Sequence, residues 1–148
     1  VGFPSDGRYH TDCDALVPST LVTHRRSDLE TASGDAALHQ RLLLAALREI
    51  SGMQDHFMML GRKSSLEKLA SFLIVLTARV GEPLGEFEQV TLPMTRADIA
   101  DFLGLTTETV SRAFTQLRKS QIIAIDHVNT VIILKPLALC AIAEGDDD

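Results

Sequence analysis

Cysteines, long apolar runs and the common catalytic motifs are scarce or missing in this chain. Its two cysteines, Cys13 and Cys140, lie far apart and form neither a CxxC pair nor a zinc-ligand spacing, which favours a reduced cytoplasmic protein. No apolar run approaches the length needed to cross a bilayer, and no secretory pattern opens the chain. No P-loop, G-x-S-x-G, H-E-x-x-H or His–carboxylate–nucleophile set is legible, so we expect a protein that is not an enzyme.

One short segment, HTDCD at residues 10–14, carries four potential metal ligands. On a strand, His10, Asp12 and Asp14 would point to one side. A loop built of turn residues explains the same composition more simply. We therefore expect no metal site and no cofactor.

An excess of positive charge is also missing. The 148 residues carry a net charge of −6, and the pI is about 5.3. The whole chain therefore does not attract nucleic acid or an anionic membrane, and binding to either would need a local patch. With 45% apolar residues, the chain can build the core of one medium domain or two small ones.

Residues 1–34 are rich in loop-forming residues such as Gly2, Pro4 and Pro18. The strand-like run ALVPSTLVTH, residues 15–24, could be the last strand of a sheet whose other strands are missing. Because the first residue is Val1 rather than Met, we expect the chain to be a fragment that lacks an upstream region.

Residues 35–61 have the pattern of one long helix. Its apolar positions are spaced by 3, 4, 3, 4 and 3 residues, which makes an unbroken heptad seam. A seam of this kind favours pairing with the same helix of a second copy, although a long core helix packed on its own chain is the alternative. The seam residues are Leu43, Ala46, Ile50, Met53, Phe57 and Leu60.

A second small domain is predicted over residues 62–148. Ser64 and Glu67 form a capping-box pattern before an apolar helix that ends at Gly81. Residues 81–89 read as an acidic loop and residues 90–94 as a short strand.

Two short helices joined by a tight turn follow, which predicts a helix-turn-helix. Thr95 and Asp98 form a cap pair, and Gly104 stands where the turn needs positive φ. In the second helix, Val110, Ala113, Phe114 and Leu117 share one arc.

The opposite arc of the second helix carries Glu108, Ser111, Arg112, Thr115, Arg118 and Lys119. Arginine can donate two hydrogen bonds to guanine, glutamate can accept one from cytosine N4, and serine can serve either role. One G·C pair could therefore engage Arg112 and Glu108 together. The simpler alternative is a solvated helix face with an ion pair between these two residues, which stabilises a helix by only tenths of a kcal/mol.

Two β-rich runs, residues 121–125 and 130–134, follow the second helix and predict a hairpin with His127 near its tip. A hairpin directly after the second helix of a helix-turn-helix makes a winged helix. Residues 106–120 carry a net charge of +2, which leaves −8 for the rest of the chain. This asymmetry is compatible with a small, salt-dependent DNA footprint.

The segment TRADIADFLGLTTETVSRAFTQLRKSQII, residues 95–123, after a long heptad helix, resembles the CRP/FNR superfamily of bacterial transcription regulators. Glu108, Ser111 and Arg112 match the E-x-x-S-R motif of its FNR and FixK branch. The cyclic-AMP receptor branch carries arginine and glycine where this chain has Thr107 and Ser111. The resemblance covers about residues 15–134.

The resemblance implies a mainly α fold with a small β part. A remnant of a β-roll sensor domain (1–34) would precede a dimerisation helix (35–61) and a winged helix-turn-helix domain (62–148). It also implies a cytoplasmic homodimer that binds a palindromic TTGA-N6-TCAA-type site and activates transcription. RNA polymerase would be its protein partner, and residues 81–89 are a candidate contact. Glu108 and Arg112 would share a G·C pair, and Ser111 would face a thymine. The predicted phosphate contacts are Arg96, Thr106, Thr107, Thr109, Thr115 and Arg118.

The sensing features of the family match less well. Val22 falls near the position where oxygen-sensing relatives place a cluster-ligating cysteine, and it cannot ligate iron. Arg48 and Glu49 replace the Thr-Ser pair that binds the cyclic-AMP base. An effector-free FixK-type activator is therefore the main hypothesis, and the alternatives are a cyclic-nucleotide-responsive regulator and a dimeric module whose winged helix binds protein.

Overall fold

The computed structural model describes residues 14–23, 36–127 and 129–145, without the side chains of residues 55 and 60. Its contacts divide the chain into two compact units, Val1–His56 and Phe57–Asp148. The elements are α1 (Ala36–Arg62), α2 (Ser65–Val80), β1 (Glu82–Leu84), β2 (Phe87–Thr91), α3 (Arg96–Leu103), α4 (Thr107–Lys119), β3 (Ile123–Asp126), β4 (Thr130–Ile133) and α5 (Pro136–Glu144). The fold is mainly helical with one small sheet, as predicted.

The strand predicted over residues 15–24 is wrong where the structure describes it. Residues 15–23 form no strand and are exposed. An isolated strand leaves its backbone groups unpaired, and Pro18 also removes one N–H donor from the run. The rest of the predicted β-roll remnant lies outside the described residues.

Helix α1 confirms the predicted long helix and runs two residues past Leu60, the last seam position, to Arg62. Gly61 therefore lies inside the helix, which tolerates a glycine at a cost of about 1 kcal/mol relative to alanine. Within the described ranges, no helix is long and apolar enough to cross a membrane.

The core of the second unit is built around α2. Leu69, Ala70 and Leu73 are completely buried there. The helix packs on α5, α4 and strand β2. Lys63, just before α2, donates from Nζ to Ser71 Oγ and to the Ala143 carbonyl, both at 2.7 Å, and so connects the start of the unit to its last helix.

Both ends of α2 differ in detail from the predicted caps. Ser64 Oγ accepts a hydrogen bond from the Glu67 amide at 3.3 Å and donates one to Glu67 Oε1 at 2.7 Å. At the other end Gly81 has φ −70°, so it is not left-handed. A Cβ on Gly81 would collide with the Thr77 carbonyl oxygen. Glycine is therefore needed here because the backbone passes too close for a side chain.

The acidic loop predicted over 81–89 is in fact a hairpin. Strands β1 and β2 pair antiparallel, Leu84 lies opposite Phe87, and the turn contains Gly85 at φ 61°. The four-stranded antiparallel sheet has the order β1-β2-β4-β3. Strand β2 begins at Phe87 and ends at Thr91, earlier than the strand predicted over 90–94.

Helix α5 packs through Leu139, Ile142 and Ala143, which are buried. Cys140 is exposed, although its neighbours in the sequence are apolar. The buried neighbours occupy the inward arc of the helix, and the cysteine lies on the arc that faces solvent.

Candidate nucleic-acid interface

The first helix of the helix-turn-helix, α3, starts at a complete capping box. Thr95 Oγ1 accepts from the Asp98 amide at 3.2 Å, and Asp98 Oδ2 accepts from the Thr95 amide at 2.8 Å and from its hydroxyl at 2.7 Å. These bonds to the charged carboxylate lower the pKa of Asp98. The predicted cap pair is confirmed, and it fixes where the two-helix unit begins.

The turn between α3 and α4 depends on Gly104, which adopts the left-handed conformation at φ 61° and ψ 43°. The Leu105 amide donates to the Ala100 carbonyl at 2.9 Å and closes the turn. Ala100 is 2% exposed at the helix crossing. Both features agree with the prediction from sequence.

Gly104→Ala should destabilise the protein by about 1–2 kcal/mol, because a left-handed backbone places Cβ against the following carbonyl. Gly52→Ala is the matched control. Gly52 lies inside α1, where an added Cβ would meet no atom within 4 Å beyond the adjacent backbone of its own helix, and alanine there should stabilise the helix by about 0.5–1 kcal/mol. Denaturant unfolding of the two variants should give changes of opposite sign. A Gly104→Ala variant as stable as wild type would contradict this role of the turn.

Helix α4 separates an inward arc from an outward arc. Val110, Ala113, Phe114 and Leu117 are buried, as predicted. Thr115 is half-buried, and the other predicted outward residues are exposed. The outward residues are Glu108, Ser111, Arg112, Thr115, Arg118 and Lys119. We call this surface the reading face.

The two charged residues at the centre of the reading face are only loosely paired. Arg112 Nη2 lies 3.8 Å from Glu108 Oε1, and the two side chains are 72% and 79% exposed. An exposed pair of this kind stabilises a helix by tenths of a kcal/mol. Both groups can therefore exchange this contact for another partner at little cost.

The hydroxyls on the reading face donate to the helix backbone. Ser111 Oγ donates to the Thr107 carbonyl at 2.8 Å, and Thr115 Oγ1 donates to the Ser111 carbonyl at 2.9 Å. Each hydroxyl oxygen keeps lone pairs and therefore presents an acceptor to the outside.

Most of the reading face lines a shallow depression on the surface of α4. Gln116 and Ser120, which were not predicted for this surface, also line the depression. Gln116 lies four residues after Arg112 and eight after Glu108, so helical periodicity alone could have identified it. The three predicted base-reading residues, Glu108, Ser111 and Arg112, line the same depression.

Three of the four threonines predicted to contact phosphate, Thr106, Thr107 and Thr109, lie at the start of α4. Thr106 Oγ1 caps the helix by accepting from the Thr109 amide at 3.2 Å, and it lies 2.8 Å from Thr109 Oγ1. Thr106 and Thr107 are exposed. The unpaired amides and the dipole of a helix N-terminus favour an anion, so this end suits a phosphate.

Arg96, also predicted to contact phosphate, is half-buried against the inner side of α4. Its guanidinium carbon lies 3.3 Å from the centroid of the Phe114 ring. Burial lowers the pKa of Arg96. Its Nη1 is buried and has no hydrogen-bond partner in the described part of the chain. No local pattern in the sequence indicates this stacking, because it depends on how α3 crosses α4.

The predicted wing is present as strands β3 and β4. His127 lies at the tip with φ 56°, exposed and 3.8 Å from the Asp126 carboxylate. In the same turn, the Asn129 carbonyl accepts a hydrogen bond from the Leu92 amide at 2.8 Å, which connects the wing to the segment after β2.

The heptad seam of α1 is exposed in the single chain. Leu43 is 61% and Phe57 68% exposed, and Ala46, Ile50 and Met53 are exposed as well. The side chain of Leu60 lies outside the described residues. An apolar stripe of this length is typical of a protein interface.

The candidate metal segment, residues 10–14, lies outside the described residues except for Asp14. Across the described ranges, no group of three His, Cys, Asp or Glu side chains could hold a metal ion.

Comparison with known proteins shows likeness to one family and to several of its members. The family described as Crp-like helix-turn-helix domain matches residues 67–142. The nitrogen fixation regulation protein FixK of Rhizobium meliloti is 36% identical over 138 residues, which cover 93% of this chain and 61% of that protein. The transcriptional activatory protein AadR of Rhodopseudomonas palustris is 51% identical over 126 residues, covering 84% of this chain and 53% of that protein.

Among solved structures, FixK2 from Bradyrhizobium japonicum superimposes with a TM-score of 0.72 at 35% identity, over 79% of this chain and 58% of that one. The 148-residue chain thus spans about 53–61% of the length of these relatives.

Proposed function

Because this chain belongs to the CRP/FNR family of transcription regulators, we propose that it is a sequence-specific DNA-binding transcription activator that works in the cytoplasm. Transcription regulators of this kind are not enzymes. The names of the relatives as activators support this assignment.

The observation that carries the proposal is the reading face of α4. Glu108 and Arg112 project from one exposed arc, one helical turn apart, and approach each other only to 3.8 Å. In a major groove, Arg112 would donate to guanine O6 and N7, and Glu108 would accept from cytosine N4 of the same pair. The weak pairing between them means that binding DNA would break no strong interaction.

Ser111 lies between Glu108 and Arg112 on this face. Because its proton is donated to the Thr107 carbonyl, its Cβ and an acceptor oxygen face outward. This surface suits contact with a thymine methyl, which extends the G·C contact to a TTGA-type half-site. Arg96, Arg118 and the threonines Thr106, Thr107, Thr109 and Thr115 would bind the adjacent phosphates.

The exposed seam of α1 would pair with the same seam of a second chain. Leu43, Ala46, Ile50, Met53 and Phe57 are exposed in one chain, and Leu60 continues their heptad spacing. A twofold-symmetric dimer presents two reading helices one helical turn apart along DNA, which matches a TTGA-N6-TCAA palindrome.

RNA polymerase is the proposed protein partner, and the β1–β2 hairpin is the candidate contact. Leu84 and Phe87 face each other in the strand pair and are exposed, and Glu82 and Glu86 beside them are exposed as well. An apolar pair surrounded by carboxylates suits a partner surface that combines basic and apolar groups.

A mobility-shift titration at fixed salt tests the DNA proposal. We expect the wild-type chain to bind a TTGA-N6-TCAA duplex at least about 10³-fold more tightly than a scrambled duplex, as is typical of specific DNA binding. A duplex with about five extra base pairs between the half-sites is the matched control, because it moves them to opposite faces of the helix. Equal affinity for the three duplexes would contradict the proposal and favour a module that binds protein.

A further inference from the structure

Arg96 occupies an unfavourable position that the proposed function does not by itself explain. It is the first residue of α3, so its positive charge lies at the positive end of the helix dipole. It is half-buried, which removes part of the water around its charge. Its buried Nη1 has no hydrogen-bond partner in the described ranges. An arginine that served only as an exposed charge toward phosphate would need none of this burial.

The contact that offsets these costs is the stack on Phe114. The guanidinium carbon lies 3.3 Å from the ring centroid, within the distance at which a cation is attracted to the face of an aromatic ring. Phe114 is 3% exposed and belongs to the inward arc of α4, two residues after Arg112. The stack therefore joins the start of α3 to the helix that carries the reading face.

We propose that Arg96 is a positioning residue, whose stack on Phe114 fixes the orientation of α4 so that Glu108 and Arg112 meet the same base pair. The inference rests on the proposed DNA-binding function. Because Nη1 is buried, a DNA phosphate would have to approach another N–H of the guanidinium while the stack on Phe114 holds the group in place. Phosphate binding at Arg96 and base reading at Arg112 are then coupled through the Phe114 ring.

The two roles of Arg96 predict different effects for a lysine. Lysine keeps the positive charge but loses the planar group that stacks on the ring. If Arg96 acts only as a charge toward phosphate, Arg96→Lys should bind DNA nearly as wild type does, and Phe114→Leu should have no specific effect. If it acts through the stack, both substitutions should weaken specific binding and reduce the preference for the G·C pair.

A double-mutant cycle on the full 148-residue chain tests the coupling. The measurement compares affinities for two duplexes, the palindrome and a duplex in which the G·C pair of each half-site is replaced. The proteins are wild type, Arg96→Lys, Phe114→Leu and the double variant. We expect each single variant to bind the palindrome roughly threefold to thirtyfold more weakly than wild type. The double variant should bind the palindrome no more weakly than whichever single variant binds it less tightly. In all three variants, the ratio of the affinity for the palindrome to the affinity for the altered duplex should be smaller than in wild type.

Matched controls are Arg79→Lys, at an exposed arginine on α2, and Phe102→Leu, which removes a ring that packs on Phe72 at 5.8 Å. Both should bind DNA as tightly as wild type does.

In the free protein, NMR signals of the Arg96 side chain should lie upfield of their positions in Phe114→Leu because of the ring current. If Phe114→Leu fails to fold, Arg96→Lys alone decides by its base preference.

The results of the cycle separate the inference from the function beneath it. Additive losses, or an Arg96→Lys variant with wild-type base preference, would overturn the positioning role and leave DNA binding intact. A wild-type chain that does not distinguish the palindrome from the scrambled duplex would contradict the proposed function, and the inference would fail with it. An upfield shift without any effect on base preference would show a stack that does not position α4, and would also overturn the inference.

Discussion

Phe57→Glu and Ile50→Glu should each convert the proposed dimer to a monomer. Both side chains are large, apolar and exposed on the seam of α1, so a charge at either position would have to be buried against the second copy. Loss of the dimer also removes the advantage of two linked reading helices, which corresponds to about 10²–10⁴-fold in affinity for the palindrome. Sedimentation velocity gives the mass, and a DNA titration gives the affinity.

Ser51→Glu is the matched control for this prediction. Ser51 is exposed on α1 next to Ile50, but it lies off the heptad seam. The variant should remain a dimer and bind DNA as wild type does. If Phe57→Glu and Ile50→Glu also sediment as dimers, the α1 seam is not the interface.

Glu108→Ala and Arg112→Ala should each weaken binding to the palindrome by about 1–3 kcal/mol for every half-site. Because a dimer presents each side chain twice, the combined loss should be about 2–6 kcal/mol when the half-sites act independently. Competition titration at fixed salt gives these values. The structural reason is that both groups are exposed and approach each other only to 3.8 Å, so they are available to base edges.

Two further variants distinguish base reading from general attraction to DNA. Arg118→Ala removes an exposed, predicted phosphate contact and should weaken binding to all sequences alike while lowering the salt dependence. Arg79→Ala removes an exposed charge from α2 and should leave affinity unchanged. If Arg112→Ala behaved like either of these variants, Arg112 would not be a base-reading residue.

The parts of the fold that are predictable from the sequence are those set by local patterns. The Thr95–Asp98 cap, the left-handed Gly104 and the two arcs of α4 each depend on residues within a few positions of one another. The length of α1 follows from an uninterrupted heptad repeat. Short-range rules decide such features before tertiary packing contributes.

Features that depend on residues far apart in the sequence could not be predicted from local patterns. The hairpin over 82–91 is exposed along most of its length, so it lacks an alternating pattern, and β2 forms because β4 pairs with it across about 40 positions. The exposure of Cys140 depends on which arc of α5 meets α2. The Arg96–Phe114 stack was missed for the same reason, since it exists only once α3 and α4 cross.

The most direct test of the reading face combines a change in the protein with a change in the DNA. The G·C pair of each half-site is replaced by A·T, and both duplexes are titrated with wild type and with Arg112→Ala. We predict that wild type discriminates between the duplexes by about 1–3 kcal/mol per half-site and that Arg112→Ala binds the two duplexes equally. If Arg112→Ala keeps the wild-type discrimination, Arg112 does not read this base pair and the proposed reading face is contradicted.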